Sequence, residues 1–196
     1  MPSAPAVSRR ALLGGVVLTS LGLAGCGGAS SFGPRPSETL LSTDGLAGRD
    51  AREIIDSLEA LPLDQRSHLI QATVLPDRLA LEDDAGSETA LLLPAGKSYV
   101  AVAPFVDTTH ECFHHELSHC TGELLSTEVG VLLTGTDGAV MLDELRTTAP
   151  NGFLGLWLPR DRELTLTISL DGAVSTASLS TSADSPTCIT TMQLQG

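Results

Sequence analysis

Positive charge is scarce in this sequence. Eleven lysines and arginines face 24 aspartates and glutamates over 196 residues, Lys97 is the only lysine, and the formal net charge is −13. A chain this acidic repels phosphate backbones, so nucleic acid is not an expected partner. Long apolar runs are missing as well. Beyond residue 25 no stretch is long and apolar enough to cross a bilayer as a helix. No internal repeat is present. Histidine is nearly confined to one place, with His68 alone outside residues 110–119. Isolated, it reads as a surface or packing residue.

What is present begins with an address. Arg9 and Arg10 precede an apolar run from Ala11 to Leu23 and small residues before Cys26. A basic start, a short apolar core and small residues make a signal peptide over residues 1–25. Ser8-Arg-Arg-Ala-Leu-Leu13 resembles a twin-arginine export signal. Leu23-Ala-Gly-Cys26 resembles a bacterial lipobox, which implies that Cys26 is lipidated and anchors an extracytoplasmic protein to the membrane. Loss of the two arginines with the peptide would take the net charge from −13 to −15. Cys112, Cys120 and Cys188 then remain, an odd number in an oxidising compartment where thiols normally pair. At least one is expected to be free, metal-bound or bridged to another molecule.

The mature chain changes texture along its length. Residues 26–42 are rich in Gly, Ser and Pro and read as a flexible tether. From Leu46 to Leu61 the pattern is helical: Ile54, Ile55, Leu58 and Leu61 recur at three- and four-residue steps, with Asp50, Arg52, Glu53, Asp56 and Glu59 assigned to the other face. Pro62 ends that helix or opens a short second one over residues 64–70. Beyond Gln71 come ten short β-type runs, starting at Ala72, Leu79, Thr89, Tyr99, Val129, Val140, Gly155, Leu164, Val174 and Cys188. Turn residues separate them, among them Asp83-Asp-Ala-Gly86, Pro94-Ala-Gly96, Thr136-Asp-Gly138, Asp171-Gly172 and Asn151-Gly152, the last of which reads as a hairpin turn. Strands at roughly ten-residue intervals with no intervening helix predict a sandwich. The expected fold is α+β: an N-terminal helix-plus-hairpin subdomain over 43–90, then an antiparallel, Ig-like β-sandwich over 91–196. Trp157, the only tryptophan, sits with Phe153, Leu156 and Leu158 and reads as core.

Chemistry concentrates in His110-Glu-Cys-Phe-His-His-Glu-Leu-Ser-His-Cys120, which holds four of the five histidines and two of the four cysteines. On a straight helix, Cys112 and Cys120 would be about 12 Å apart, too far to share a bond or an ion. A chain folded back around Glu116 brings them face to face. Three thiolates with imidazole nearby select a soft ion such as Cu(I), or zinc, over calcium or magnesium. Two thiols can also give two electrons to Cu(II) and close a disulfide. The plainer alternative is a structural Cys112–Cys120 or Cys120–Cys188 bridge. His115-Glu116-Leu-Ser-His119 also matches the H-E-x-x-H pattern, in which two histidines one helical turn apart bind zinc and the glutamate is the general base of a hydrolase. That reading needs a helix and a third ligand, and no later histidine exists. A thiol–disulfide oxidoreductase needing no metal is a third reading. Near the C-terminus, Cys188, Thr190 and Met192 fall on one face of an expected strand, which makes Met192 a further candidate ligand.

Three stretches resemble the CueP family of periplasmic copper-binding proteins: Asp107–Leu124, Asn151–Asp161 and Thr187–Leu194. The resemblance implies a copper site built from Cys112, Cys120 and Cys188, with His115 where the family pattern also has a histidine. His114 and His119 depart from that pattern; they and His110 remain possible additional ligands. It further implies reduction of Cu(II) by the same thiols, delivery of copper to a client cuproenzyme such as a periplasmic superoxide dismutase, and a homodimer formed through the N-terminal half.

Overall fold

The structure, a computed structural model, describes residues 41–42 and 45–196. The export signal, Cys26 and nearly all of the tether lie outside them. The helix α1 spans Ala51–Glu59, shorter than the periodic stretch that predicts it. A capping box sets its start: Glu53 N donates to the Asp50 carboxylate at 2.9 Å and Asp50 N to the Glu53 carboxylate at 3.0 Å. Ala51, Ile54 and Ile55 are buried, and so is Glu59. Pro62 opens only a single 3-10 turn, Leu63–Gln65, and Ile70 already belongs to a strand.

Eleven strands follow among the described residues: β1 Ile70–Val74, β2 Arg78–Asp83, β3 Glu88–Leu92, β4 Lys97–Val102, β5 His115–Glu116, β6 Glu128–Gly135, β7 Val140–Thr147, β8 Leu154–Pro159, β9 Glu163–Leu170, β10 Ala173–Ser180 and β11 Cys188–Ile189. They form three sheets ordered β3-β2-β1-β5, β10-β9-β6-β7 and β11-β4-β8. The pairings between these strands are antiparallel except β11 on β4, which is parallel, with Cys188 opposite Ala101. The β9–β10 hairpin turns on Asp171 and Gly172, at φ 50° and 89°, where an L-residue and a glycine supply the two positive φ values of a tight turn. Asn151-Gly152, by contrast, is not a hairpin turn. It carries the chain from β7 in one sheet to β8 in another.

Strand β4 lies between two apolar cores. Its Tyr99 and Ala101, with Ala103 just beyond, join α1, β1 and β2 in the first core; its Val100 and Val102 face the second, built with β6, β8, β9 and β10. Alternation along a pleated strand sends successive side chains to opposite faces, so a strand covered on both sides must be apolar throughout. Among the described residues, the mostly β architecture with a small N-terminal helix agrees with the α+β sandwich expected from the sequence. The first core also contains Leu117, Cys120, Phe153 and Cys188, which places the cysteine loop at its edge.

Candidate metal centre

The loop between β4 and β6 is held compact by its own polar groups. The backbone N–H groups of Val106, Asp107 and Thr108 converge on the Glu123 carboxylate at 2.8, 3.0 and 3.2 Å, tying the loop's entry to its exit. Inside it, His115 and Glu116 form the short strand β5 on the edge of β1. The Glu116 carboxylate accepts from Ala72 N at 2.9 Å and Ser118 N at 3.1 Å, and the Cys120 amide closes a turn onto Glu116 O at 2.9 Å. The reversal around Glu116 brings Cys112 Sγ to 3.6 Å from Cys120 Sγ.

Cys188 reaches the same point from the far end of the chain. Thr187 and Cys188 both donate their amides to Phe113 O, at 2.9 and 3.1 Å. The Thr187 hydroxyl accepts from His115 N at 3.0 Å and donates to Val74 O at 2.6 Å. Thr109 adds a hydroxyl bond to Thr190 O at 2.8 Å. These contacts, with the parallel β11–β4 pairing, seat Cys188 against the loop. One ligand atom each from His110, Cys112, Cys120 and Cys188 lies within 4.8 Å of the others. All three cysteines are free thiols in the structure, so none of the expected bridges is formed.

The histidines divide. His110 is half-buried, packs edge-on to Phe153, and its Nε2 is buried without a hydrogen-bond partner. His115 is fully buried, with Nδ1 3.8 Å from Cys188 Sγ and Nε2 2.8 Å from a Glu59 carboxylate oxygen. His114 lies beside Phe113, Arg78 and Arg160 in a cavity of about 550 Å³. His119 is exposed and bonded to Glu116. His115 and Glu116 are therefore in a strand, not a helix, with His115 in the core and His119 in solvent; the pair cannot present two imidazoles to one zinc as H-E-x-x-H requires. Met192 belongs to a different core from Cys120 and Cys188. Strand β11 ends at Ile189, the shared face with Cys188 does not form, and Met192 is buried in the second core.

Electrostatics distinguish the three thiols. A hydrogen bond from Cys188 is the largest effect holding the Cys120 thiol far below its ordinary value, helped by His115 and the Glu116 amide against the opposing effect of burial. Cys188 is pushed up in turn, first by that same bond and then by burial. Burial lifts Cys112 to about 11. Burial would lower His115, but its bonds to Cys120 and Glu59 and their charges raise it to about 9. The reduced site thus holds a thiolate at Cys120, an imidazolium at His115, and thiols at Cys112 and Cys188.

A family model for periplasmic copper-binding proteins, CueP, matches residues 53–193. The chain belongs to the CueP family. A solved structure described as the crystal structure of S.CueP is 33% identical, with a TM-score of 0.76, and the match covers 83% of this chain and 99% of that one. Comparison with curated proteins returns no match. Within this CueP-family fold, a soft donor set of three sulfurs and one imidazole converges at one point, which fits the copper binding that describes the family.

Residues around the centre that sequence reasoning did not single out are Glu59, Arg66, Tyr99 and Thr187. Glu59 falls on the helix face expected to be polar, yet it stands four residues after Ile55 and so shares its buried side. That spacing was the available signal. For Arg66 and Thr187 no local pattern marks a role, because their partners lie 51 and 72 residues away.

Proposed function

We propose that this CueP-family protein binds copper as Cu(I) through Cys112, Cys120 and Cys188, and passes it on outside the inner membrane. The observation that carries this reading is the arrival of the Cys188 sulfur beside the folded-back Cys112–Cys120 pair, next to a buried, unpartnered His110 nitrogen. Soft thiolates favour Cu(I) over hard ions. His110 is the imidazole that converges with all three sulfurs, and His115 backs Cys188 from inside the core. Loading needs protons to leave Cys112 and Cys188, since thiolates are the ligands.

Reduction of Cu(II) fits the same atoms. Two Cu(II) ions each take one electron from the Cys112 and Cys120 sulfurs, giving two Cu(I) ions and one Cys112–Cys120 disulfide, with the Cys112 proton released to water. Restoring a three-sulfur site then takes an external dithiol, which becomes a disulfide as it reduces the bridge. Delivery to a client cuproenzyme of the superoxide dismutase kind and self-association rest on kinship with the family. Anchoring through a lipidated Cys26 rests on the lipobox pattern.

Titration of Cu(I) into the reduced protein against a chelator of known affinity tests the binding. The parent should compete and the triple Cys112→Ser, Cys120→Ser, Cys188→Ser variant should not; equal binding by the two would end the reading. Three sulfurs and one imidazole also make a zinc set. Zinc competition in the same titration decides between the ions, with Cu(I) expected to displace zinc. A thiol–disulfide oxidoreductase would lose thiols to protein disulfides and not to added Cu(II), so a thiol count with and without Cu(II) separates it.

A further inference from the structure

Behind the sulfurs, on the side away from solvent, sits a buried polar cluster that the copper reading does not use. Its centre is the Glu59 carboxylate, at the C-terminal end of α1 and 8% exposed. One oxygen accepts from His115 Nε2 at 2.8 Å and from the Tyr99 hydroxyl at 3.1 Å. The other accepts from Asn151 Nδ2 at 3.1 Å and from the Arg66 guanidinium at 3.4 Å. Arg66 is itself buried and donates on to Leu61 O at 3.0 Å and to Leu117 O. Asn151 also donates to Cys120 O at 3.4 Å. Apart from Tyr99, which stands on β4, the donors around Glu59 lead back either to the helix or to the cysteine loop.

A buried carboxylate is costly to desolvate and is retained only where several donors satisfy it. Arg66 alone would balance its charge. The additional bond to His115 has a geometric consequence. With Nε2 fixed on Glu59, the opposite edge of the ring, carrying Nδ1, is turned toward Cys188 Sγ at 3.8 Å, and Phe153 lies against the ring with centroids 4.5 Å apart. In metal sites, the carboxylate that holds a histidine's far nitrogen sets the ring's orientation and its strength as a donor.

We propose that Glu59 is a positioning residue of the metal centre: its bond to Nε2 holds the His115 ring with Nδ1 presented to the Cys188 sulfur, so the N-terminal helix sets the geometry of a site whose ligands all come from beyond residue 109. This rests on the copper reading above for its functional consequence, though not for the orientation itself. Tyr99 supplies an internal control, because it bonds the same carboxylate oxygen without touching a sulfur. Its loss should loosen the core while leaving the His115–Glu59 bond in place.

Two measurements on the full-length protein test it. The first needs no metal: in the NMR spectrum of histidine-labelled, reduced protein, the hydrogen-bonded Nε2 proton of His115 should be present in the parent and in Tyr99→Phe, and absent in Glu59→Ala. The second is Cu(I) competition. Glu59→Ala should weaken binding by about 10- to 100-fold, Tyr99→Phe should not, and Glu59→Ala should add nothing in a His115→Ala background, since the two residues act as one unit. Should the buried Arg66 left behind prevent Glu59→Ala from folding, the double variant Glu59→Leu, Arg66→Met removes both charges together and should show the same loss. Unchanged Cu(I) affinity on removing Glu59, or effects of Glu59 and His115 that multiply, would overturn the proposal. A parent that binds no Cu(I) would instead sink the copper reading, and the NMR signal alone would then decide whether Glu59 positions His115.

Discussion

Cys120 and His115 shape how the metal-free, reduced protein responds to pH. His115 has a raised pKa of about 9 against an ordinary 6.5, so its contribution is complete below 6.5 and is lost as pH rises through 9. Cys120 is lowered from an ordinary 9, so its contribution is complete above 9 and declines as pH falls. Between 6.5 and 9 the two slopes cancel, because folded and unfolded chains then carry the same protons on this pair. Below 6.5 the unfolded histidine gains a proton and stability falls. Above 9 the raised Cys112 and Cys188 thiols resist ionisation that the unfolded chain accepts, and stability falls again. Thermal unfolding of reduced apo-protein should show a plateau from pH 6.5 to 9 with a decline on either side, and Cys120→Ser should abolish the acid limb that the thiolate contributes. A midpoint that keeps rising past pH 9 would contradict these assignments. The cysteines and the His110–His119 cluster were legible in the sequence by residue type alone. Which imidazole turns toward the sulfurs was not, because that is decided by partners such as Glu59 and Phe153, 56 and 38 residues from His115.

At the scale of elements, the cysteine loop is fastened where two glycines meet. A Cβ on Gly122 would lie 2.6 Å from Gly152 O, and one on Gly152, at φ +83°, would lie 2.7 Å from the Gly122 carbonyl. The amide of Gly122 donates to Asn151 O at 2.6 Å, so the loop carrying Cys120 is docked on the β7–β8 connection. Gly172 has a similar φ of +89° but open space around it. Gly172→Ala should therefore cost only the left-handed backbone penalty, ~1 kcal/mol, whereas Gly152→Ala adds backbone crowding and should cost about 2–4 kcal/mol. Chemical denaturation of both variants checks the difference, and Gly152→Ala alone should also weaken Cu(I) binding. Equal destabilisation would mean the glycine contact does not hold the loop. The sequence located the nine longer strands and the start of the two-residue β11, because period-two alternation and turn residues act over a few positions. It could not place β5, whose two residues carry no period, and it misread Asn151-Gly152 as a hairpin because turn chemistry does not reveal which sheet the next strand joins.

For the molecule as a whole, the proposed ligands join two distant segments: residues 110–120 from the loop and Cys188 from β11, which lies parallel on β4. The amides of Ala101 and Ala103 donate to Thr187 O and Ile189 O, each at 2.8 Å, and hold β11 there. An ion gripped by Cys112, Cys120 and Cys188 adds a second bond between those segments, so the folded state gains the binding energy and the unfolded chain does not. At free Cu(I) 100-fold above its dissociation constant the gain is about 2.7 kcal/mol. Cu(I) should thus raise the unfolding temperature of the reduced domain, and amide exchange at Ala101 and Ala103 should slow along with exchange in the loop. Cys188→Ser should remove the protection at Ala101 and Ala103 while leaving some in residues 112–120, since two sulfurs can still hold the ion locally. Protection confined to the loop in the parent would mean that Cys188 takes no part. The copper would then sit on the Cys112–Cys120 pair, without the coupling to β4 that the parallel strand makes possible.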